Sequence, residues 1–458
     1  MTRPQFGLVI VGLGASLAPL DIAVNVALPA ITGHFKLALG DVQWLVICYV
    51  LVYGSLMLVA GKLGDLFGHR LLFRIGLVVS AIGCAACAIA PDWPLFLWAR
   101  AGQGVGTALA LACTPALATS LFPENERTKA LAGFASAMAL SAALGPFLGG
   151  VLVQFWGWPA VYWIRVPIAL AALALSGFLP SPKPEARPFD ALGAVVLVAC
   201  MSTLLLSLVL SQRREVAGIW AAGLLVVALG LLALYVRHAA RVPEPIIRPA
   251  LFADARFAVP NLLNVLANLA GFAILLLTPY YLTNVLKLTA LGSGIVLAMA
   301  YAGTLTGAPL SAFLVARIGQ RPTVFAGVAL VGLGLLPLAF TGIDTPVLVV
   351  ALLLVLEGIG QGLLTVAYID IVTATLPARD RGVAGSLSQL TRTLGIVSGA
   401  SVLTALQARG AEGFAGMAGF LAGYRFAFLV AGGGLLAALL LSCLWPRVWS
   451  NREAARSV

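Results

Sequence analysis

Ionisable side chains are rare inside the apolar runs of this chain, and the few found there are the ones with chemistry to offer. The first run, Phe6 to Ile31, is interrupted by one carboxylate, in Leu20-Asp21-Ile22-Ala23-Val24-Asn25-Val26-Ala27-Leu28-Pro29. A charged group at the centre of a membrane helix costs roughly 2.5 to 3.5 kcal/mol on insertion scales, so such groups face a bundle interior or a water-filled path and mark ion or substrate routes. Pro19 has no N–H to bond the carbonyl of Ala15, which predicts a kink just before Asp21. Asn25, one turn on, shares the Asp21 face. The plainer alternative is that Asp21 pairs with an arginine and only holds helices together.

Later runs add Arg100, Arg165, Glu357 near mid-depth, Asp370 nearer a helix end, and Arg392. Three acids against three bases predict pairing with no net buried charge. A carboxylate taken out of water favours its protonated form, so proton and substrate can compete for it; Asp21 and Glu357 are the candidates for that role. Asn261, Asn264 and Asn268 fall at helical spacing and form one polar stripe, suited to substrate contact or to interhelical hydrogen bonds. Asn25, Arg100, Arg165, Asn264, Asn268, Tyr281 and Arg392 are the substrate-binding candidates.

With 61% hydrophobic and only 10% charged residues, the chain is not a soluble globule, in which about a quarter of residues are charged. The formal charge of +11 is carried mostly in short loops, which fits the positive-inside rule and not a nucleic-acid surface. Apolar runs long enough to span a bilayer predict about 14 transmembrane helices, near 6–31, 42–62, 71–91, 95–121, 130–153, 157–179, 190–210, 217–237, 257–285, 291–316, 322–341, 346–376, 383–406 and 423–446. An even number puts both termini on one side. Sixteen basic residues on the N-terminal side, among them Lys62, Arg70, Arg74, Arg127, Lys129 and Arg321, outweigh Lys36, Arg213, Arg214, Lys287 and Arg409 opposite, so both termini are expected in the cytoplasm and the chain in the cell's inner (plasma) membrane. The first run is too long, and too soon interrupted by Asp21, for a cleaved signal. The 6 cysteines all lie in apolar runs, where they read as packing and not as disulfides or a metal cage, despite the spacing of Cys84 and Cys87.

Between the second and third runs stands Gly61-Lys62-Leu63-Gly64-Asp65-Leu66-Phe67-Gly68-His69-Arg70, whose glycines allow a tight corner. This run resembles the loop signature of the major facilitator superfamily, and "LDIAVNVALP" resembles the first-helix signature of its fourteen-helix drug:proton antiporter branch. Arg100-Ala101-Gly102-Gln103-Gly104 resembles the fourth-helix motif, and Ser141-Ala142-Ala143-Leu144-Gly145-Pro146-Phe147-Leu148-Gly149-Gly150 the motif that typifies exporters. The resemblance implies that Asp65, with Arg70 or Arg127, latches the cytoplasmic ends, and that Gly145, Pro146 and Gly149 make a gating bend. Leu66 and His69 depart from the loop signature. Arg165 stands where the family usually has asparagine, and three roles are open to it: an interfacial anchor among Trp156, Trp158 and Tyr162, a partner for Asp21 or Glu357, or a contact for an anionic substrate.

Gly102-Gln103-Gly104 recurs as Gly360-Gln361-Gly362, Gly145 and Gly149 as Gly395 and Gly399, and Gly68 and Arg70 as Gly319 and Arg321. Parallel repeats of this kind place a substrate near the midplane between two halves. The expected architecture is all-α and polytopic: a six-helix bundle over 1–180, a linker with two extra helices over 181–255, and a second, pseudo-symmetric six-helix bundle over 256–458. The implied function is a proton-coupled exporter of small amphiphilic molecules working by alternating access, as a monomer and without cofactor. A dedicated exporter of an endogenous metabolite or antibiotic is the alternative. No nucleotide-binding loop points to ATP, and no H-E-x-x-H or G-x-S-x-G motif points to an enzyme.

Overall fold

The computed structural model describes residues 3–122, 127–180, 190–210, 218–242, 245, 249–375 and 381–449. Its regular structure is helical: α1 (Arg3–Ser16), α2 (Ala23–His34), α3 (Leu39–Phe67), α4 (His69–Ile89), α5 (Trp93–Ser120), α6 (Arg127–Trp156), α7 (Ala160–Trp163), α8 (Arg165–Leu175), α9 (Ala191–Leu210), α10 (Gly218–Ala239), α11 (Ala255–Tyr280), α12 (Ala290–Ile318), α13 (Gln320–Leu338), α14 (Val347–Thr375), α15 (Arg381–Gly410), α16 (Gly416–Ser442) and α17 (Pro446–Trp449). Every expected apolar run falls on one helix or on a helix broken once. Among the described residues, 9 helical segments are long and apolar enough to cross a membrane, and shorter apolar helices run over Trp44–Met57, Leu140–Trp156 and Ala191–Leu204.

The chain divides into two compact units. One holds Met1–Thr203 with Ala228–Leu232 and Thr289–Ile295; the other holds Leu204–Val227, Ala233–Leu288 and Val296–Val458. In the first, Ile10, Val11, Phe73, Leu77, Cys113 and Leu117 form a buried apolar core. All six cysteines are free thiols, and four of them are buried. Cys200 donates to the carbonyl of Ala228 at 3.3 Å, so it packs as a weak donor in an apolar wall.

The two units reuse the same local devices, and their glycines show why the repeat survives in the sequence. Gly68 (φ +96°) and Gly319 (φ +91°) turn the chain sharply before α4 and α13, a backbone that side chains rarely adopt. Arg70 donates to the carbonyl of Leu179, just beyond α8, at 3.1 Å, and Arg321 donates to that of Val448 in α17, so each ties down a distant helix end within its own unit. Lys36, just beyond α2, and Lys287, just beyond the π-helical turn that ends α11, repeat a left-handed residue in the two units. A Cβ on Gly149 would stand 2.6 Å from the carbonyl oxygen of Ala23, and one on Gly399 would stand 2.8 Å from that of Leu269. Close helix approach through small residues is how helices associate where no hydrophobic drive separates lipid from protein.

Candidate functional site

The first helix breaks where its sequence says it should. α1 ends at Ser16, a 3₁₀ turn covers Pro19–Ile22, and α2 starts at Ala23. Asp21 sits in that turn. Gly145 and Gly149 of α6 lie against Pro19, Ile22 and Ala23, so the two glycines let α6 close over the backbone that carries Asp21.

Two arginines converge on Asp21. Arg100 forks onto both carboxylate oxygens, Nη1 to Oδ1 at 2.8 Å and Nη2 to Oδ2 at 3.0 Å, the bidentate geometry that makes such pairs strong. Its Nη1 also donates to Oε1 of Gln103 at 2.8 Å, and its Nε to the carbonyl of Leu45 at 3.2 Å. Arg165 pairs through Nη1 with the same Oδ1, while its Nε donates to the carbonyl of Val161 at 3.1 Å. Gln103 Nε2 donates to Oδ1 from 3.2 Å. Tyr49 faces the Arg100 guanidinium at 4.5 Å, and Tyr162 faces that of Arg165 at 4.9 Å. Next to Tyr162 lies an aromatic stack of Phe35, Trp93, Phe96 and Trp158. Both arginines are 1% exposed and Asp21 is 12% exposed. Of the three roles open to Arg165 the structure shows pairing; it does not reach outward as an interfacial anchor beside the exposed Trp156.

The second unit holds the opposite imbalance. Glu357 on α14 is buried, and among the described residues its carboxylate meets no hydrogen-bond donor or ion-pair partner. The reason is the shape of its surroundings. A Cβ on Gly271 of α11 would stand 3.1 Å from Oε1, and one on Gly334 of α13 would stand 2.7 Å from the Glu357 backbone nitrogen, so two glycines make room and neither offers a side-chain donor. One turn on, Gln361 donates to Oδ1 of Asn268 at 3.3 Å, while its own Oε1 is buried without a donor. The expected one-to-one pairing of buried charges is therefore corrected. Asp21 is shared by Arg100 and Arg165, and Glu357 stands alone. Arg392 is exposed, between the buried Thr391 and Thr393. Asp370 accepts from the Gln320 amide at 2.7 Å.

The asparagine stripe of α11 is engaged with its neighbours. Asn264 Nδ2 donates to Thr391 Oγ1 at 2.9 Å, Asn268 Nδ2 to the carbonyl of Asn264 at 2.7 Å, and Tyr368 donates to Asn261 Oδ1 at 2.8 Å. Tyr281 lies in a π-helical turn, Tyr281–Val285, donates to the carbonyl of Gly342 at 2.8 Å and stacks on Tyr424. Asn25 is buried one turn beyond Asp21. The side chains of Asp65 and Arg127 lie outside the described residues, and the latch expected of them has no geometry here. Gln103, Tyr49 and Tyr162 were not among the sequence candidates. The spacing of Arg100 and Gln103 on one helix face was the available signal for the first; nothing in the local pattern singles out the tyrosines.

Comparison with known proteins agrees with this architecture. The family model of the Major Facilitator Superfamily matches residues 6–400 and 261–454. The tetracenomycin C resistance and export protein of Streptomyces glaucescens is 30% identical over 89% of this chain and 76% of its own. A riboflavin transporter of Clostridioides difficile is 27% identical over 89% of each. Among solved structures, the POT family transporter PepTSo superposes with a TM-score of 0.75 at 13% identity, covering 98% of this chain and 99% of its own, a likeness of fold alone. A helical membrane bundle with buried ion-pair chemistry, and a family model spanning most of its length, make this chain a member of the major facilitator superfamily and a transporter, not an enzyme.

Proposed function

We propose that the chain exports small amphiphilic molecules across the plasma membrane in exchange for protons, by alternating access, as a monomer of the fourteen-helix drug:proton antiporter branch with both termini in the cytoplasm. In this reading residues 1–180 and 256–458 form the two six-helix bundles and 181–255 is a spacer. The similarity to an antibiotic export protein over most of the chain supports export. The observation that carries proton coupling is the buried, unpartnered carboxylate of Glu357. A buried ionisable group in a membrane span without a fixed counter-charge is positioned to bind and release a proton. Asp21 is the second coupling candidate, but both its oxygens are committed to guanidinium groups. Asn25, Arg100 and Arg165 in one unit, and Asn264, Asn268, Tyr281 and Arg392 in the other, are the proposed substrate contacts. Asp65, Arg70, Arg127, Gly145, Pro146 and Gly149 are the proposed gating residues.

The test is a proteoliposome assay with a pH-sensitive dye inside and a panel of amphiphiles outside. Addition of a transported compound should shift internal pH in the parent and leave it still in Glu357→Gln. An equal shift in that variant would remove Glu357 from coupling. A second reading, a dedicated exporter of an endogenous metabolite, is favoured by the similarity to a riboflavin transporter. Transport confined to one compound in the panel would support it.

A further inference from the structure

The geometry points to a binding site for a single negative charge at the guanidinium of Arg165, and to a monoanionic head group on an apolar body as the cargo that fills it. Only the identity of the cargo rests on the export reading; the site itself does not. Arg165 cannot give up its charge and has five N–H donors in a fixed fork. Of its nitrogens, Nε is bonded to Val161 and Nη1 to Asp21, while Nη2 is buried and has no acceptor among the described residues. Asp21 does not reach it. Its Oδ1 already receives Arg100, Arg165 and Gln103, and its Oδ2 is taken by Arg100.

Charge accounting gives the same answer. Two permanent cations meet one carboxylate, leaving one uncompensated positive charge in a span where each buried ion loses several kcal/mol of hydration. The faces of Tyr49 and Tyr162 offset part of this, but a ring face does not replace an acceptor for Nη2. One added anion neutralises the cluster; a dianion would invert it. Asp21 is the more exposed member, so a ligand enters beside its carboxylate and takes the Arg165 fork, leaving Asp21 with Arg100. The tyrosine rings flank the entering head group with apolar surface. The same chemistry is available from a carboxylate on the cargo or from inorganic chloride.

The experiment uses the full chain in phosphatidylcholine nanodiscs with no proton gradient, so that a failure of proton coupling leaves its outcome untouched. The probes are 11-(dansylamino)undecanoate and its methyl ester, read by dansyl fluorescence against empty nanodiscs. The parent should bind the carboxylate at least tenfold more tightly than the ester. Arg165→Asn, and Arg165→Gln should the first variant fold poorly, should bring that ratio to about one without weakening the ester. Chloride, titrated against sulfate at constant ionic strength, distinguishes the sources. Competition identifies an inorganic anion at the fork, and indifference identifies the cargo carboxylate. A ratio near one in the parent, or a parental preference that survives both variants, overturns the proposal. So does equal loss of both probes in folded variants, which would make Arg165 a structural residue only.

Discussion

Arg165, the first residue of α8, forms an ion pair with Asp21 in the 3₁₀ turn that interrupts the first helix. Because Arg100 holds the same carboxylate, Asp21 is, among the described residues, the only anion bonded to these two buried cations, and its removal strands both. Asp21→Asn should therefore destabilise the chain more than loss of either arginine, by about 3 kcal/mol or more, the scale of breaking a buried pair. Asp21→Asn with Arg165→Asn should recover part of that loss, since one cation is then removed as well. Thermal unfolding of the four proteins in one detergent measures the coupling. Strictly additive shifts would mean that Asp21 and Arg165 act independently.

How far this arrangement could be read from sequence depends on distance along the chain. The break before Asp21 was legible because proline acts on its own turn, and the helix positions were legible because apolar length is a local property. The Asp21–Arg165 pair was one of three open readings, since nothing local decides which way a side chain at the head of α8 points. Glu357 was read as a candidate from its charge and its place near mid-depth of a span. Its lack of a partner depends on Gly271 and Gly334, which reach it from two other helices. The expectation of balanced pairs failed because composition counts charges and does not say which unit holds them.

The two glycines around Glu357 should separate stability from chemistry. A methyl group at Gly334 meets backbone atoms of Glu357 at 2.7 to 2.8 Å, which cannot move aside cheaply. Gly334→Ala should cost roughly 1 to 3 kcal/mol through overpacking. A methyl at Gly271 meets only a carboxylate oxygen, at 3.1 Å, on a side chain that can rotate. Gly271→Ala should leave folding near the parent and change the pH dependence of efflux. Matched losses of stability in the two variants would contradict this division.

Arg70 and Arg321 should prove to be structural ties of equal kind. Each donates to a backbone carbonyl at a distant helix end within its own unit, Leu179 and Val448. A hydrogen bond from a charged donor contributes roughly 1.5 to 3 kcal/mol. Arg70→Ala and Arg321→Ala should each lower thermal stability on that scale and increase hydrogen exchange near the tied carbonyl. A variant of Arg70 that keeps full stability but alters transport rate would remove the tie and leave only the proposed gating role.

The break in the first helix has two possible causes, and their magnitudes differ. Pro19 forbids one backbone hydrogen bond, to the carbonyl of Ala15, and Pro19→Ala would restore the donor at a net gain of about 1 kcal/mol. The ion cluster opposes that gain. A 3₁₀ turn advances about 120° per residue and an α-helix about 100°, so running the helix through would swing Asp21 away from the Arg100 fork by tens of degrees. Losing the buried pairs costs about 3 kcal/mol or more, which exceeds the backbone gain. Pro19→Ala alone should therefore keep the turn, with amide exchange over residues 17–22 as fast as in the parent. Pro19→Ala with Asp21→Ala releases the constraint, and exchange there should slow by roughly tenfold as the helix closes. Slow exchange in the single variant would show that the proline, and not the carboxylate with its two arginines, sets the break.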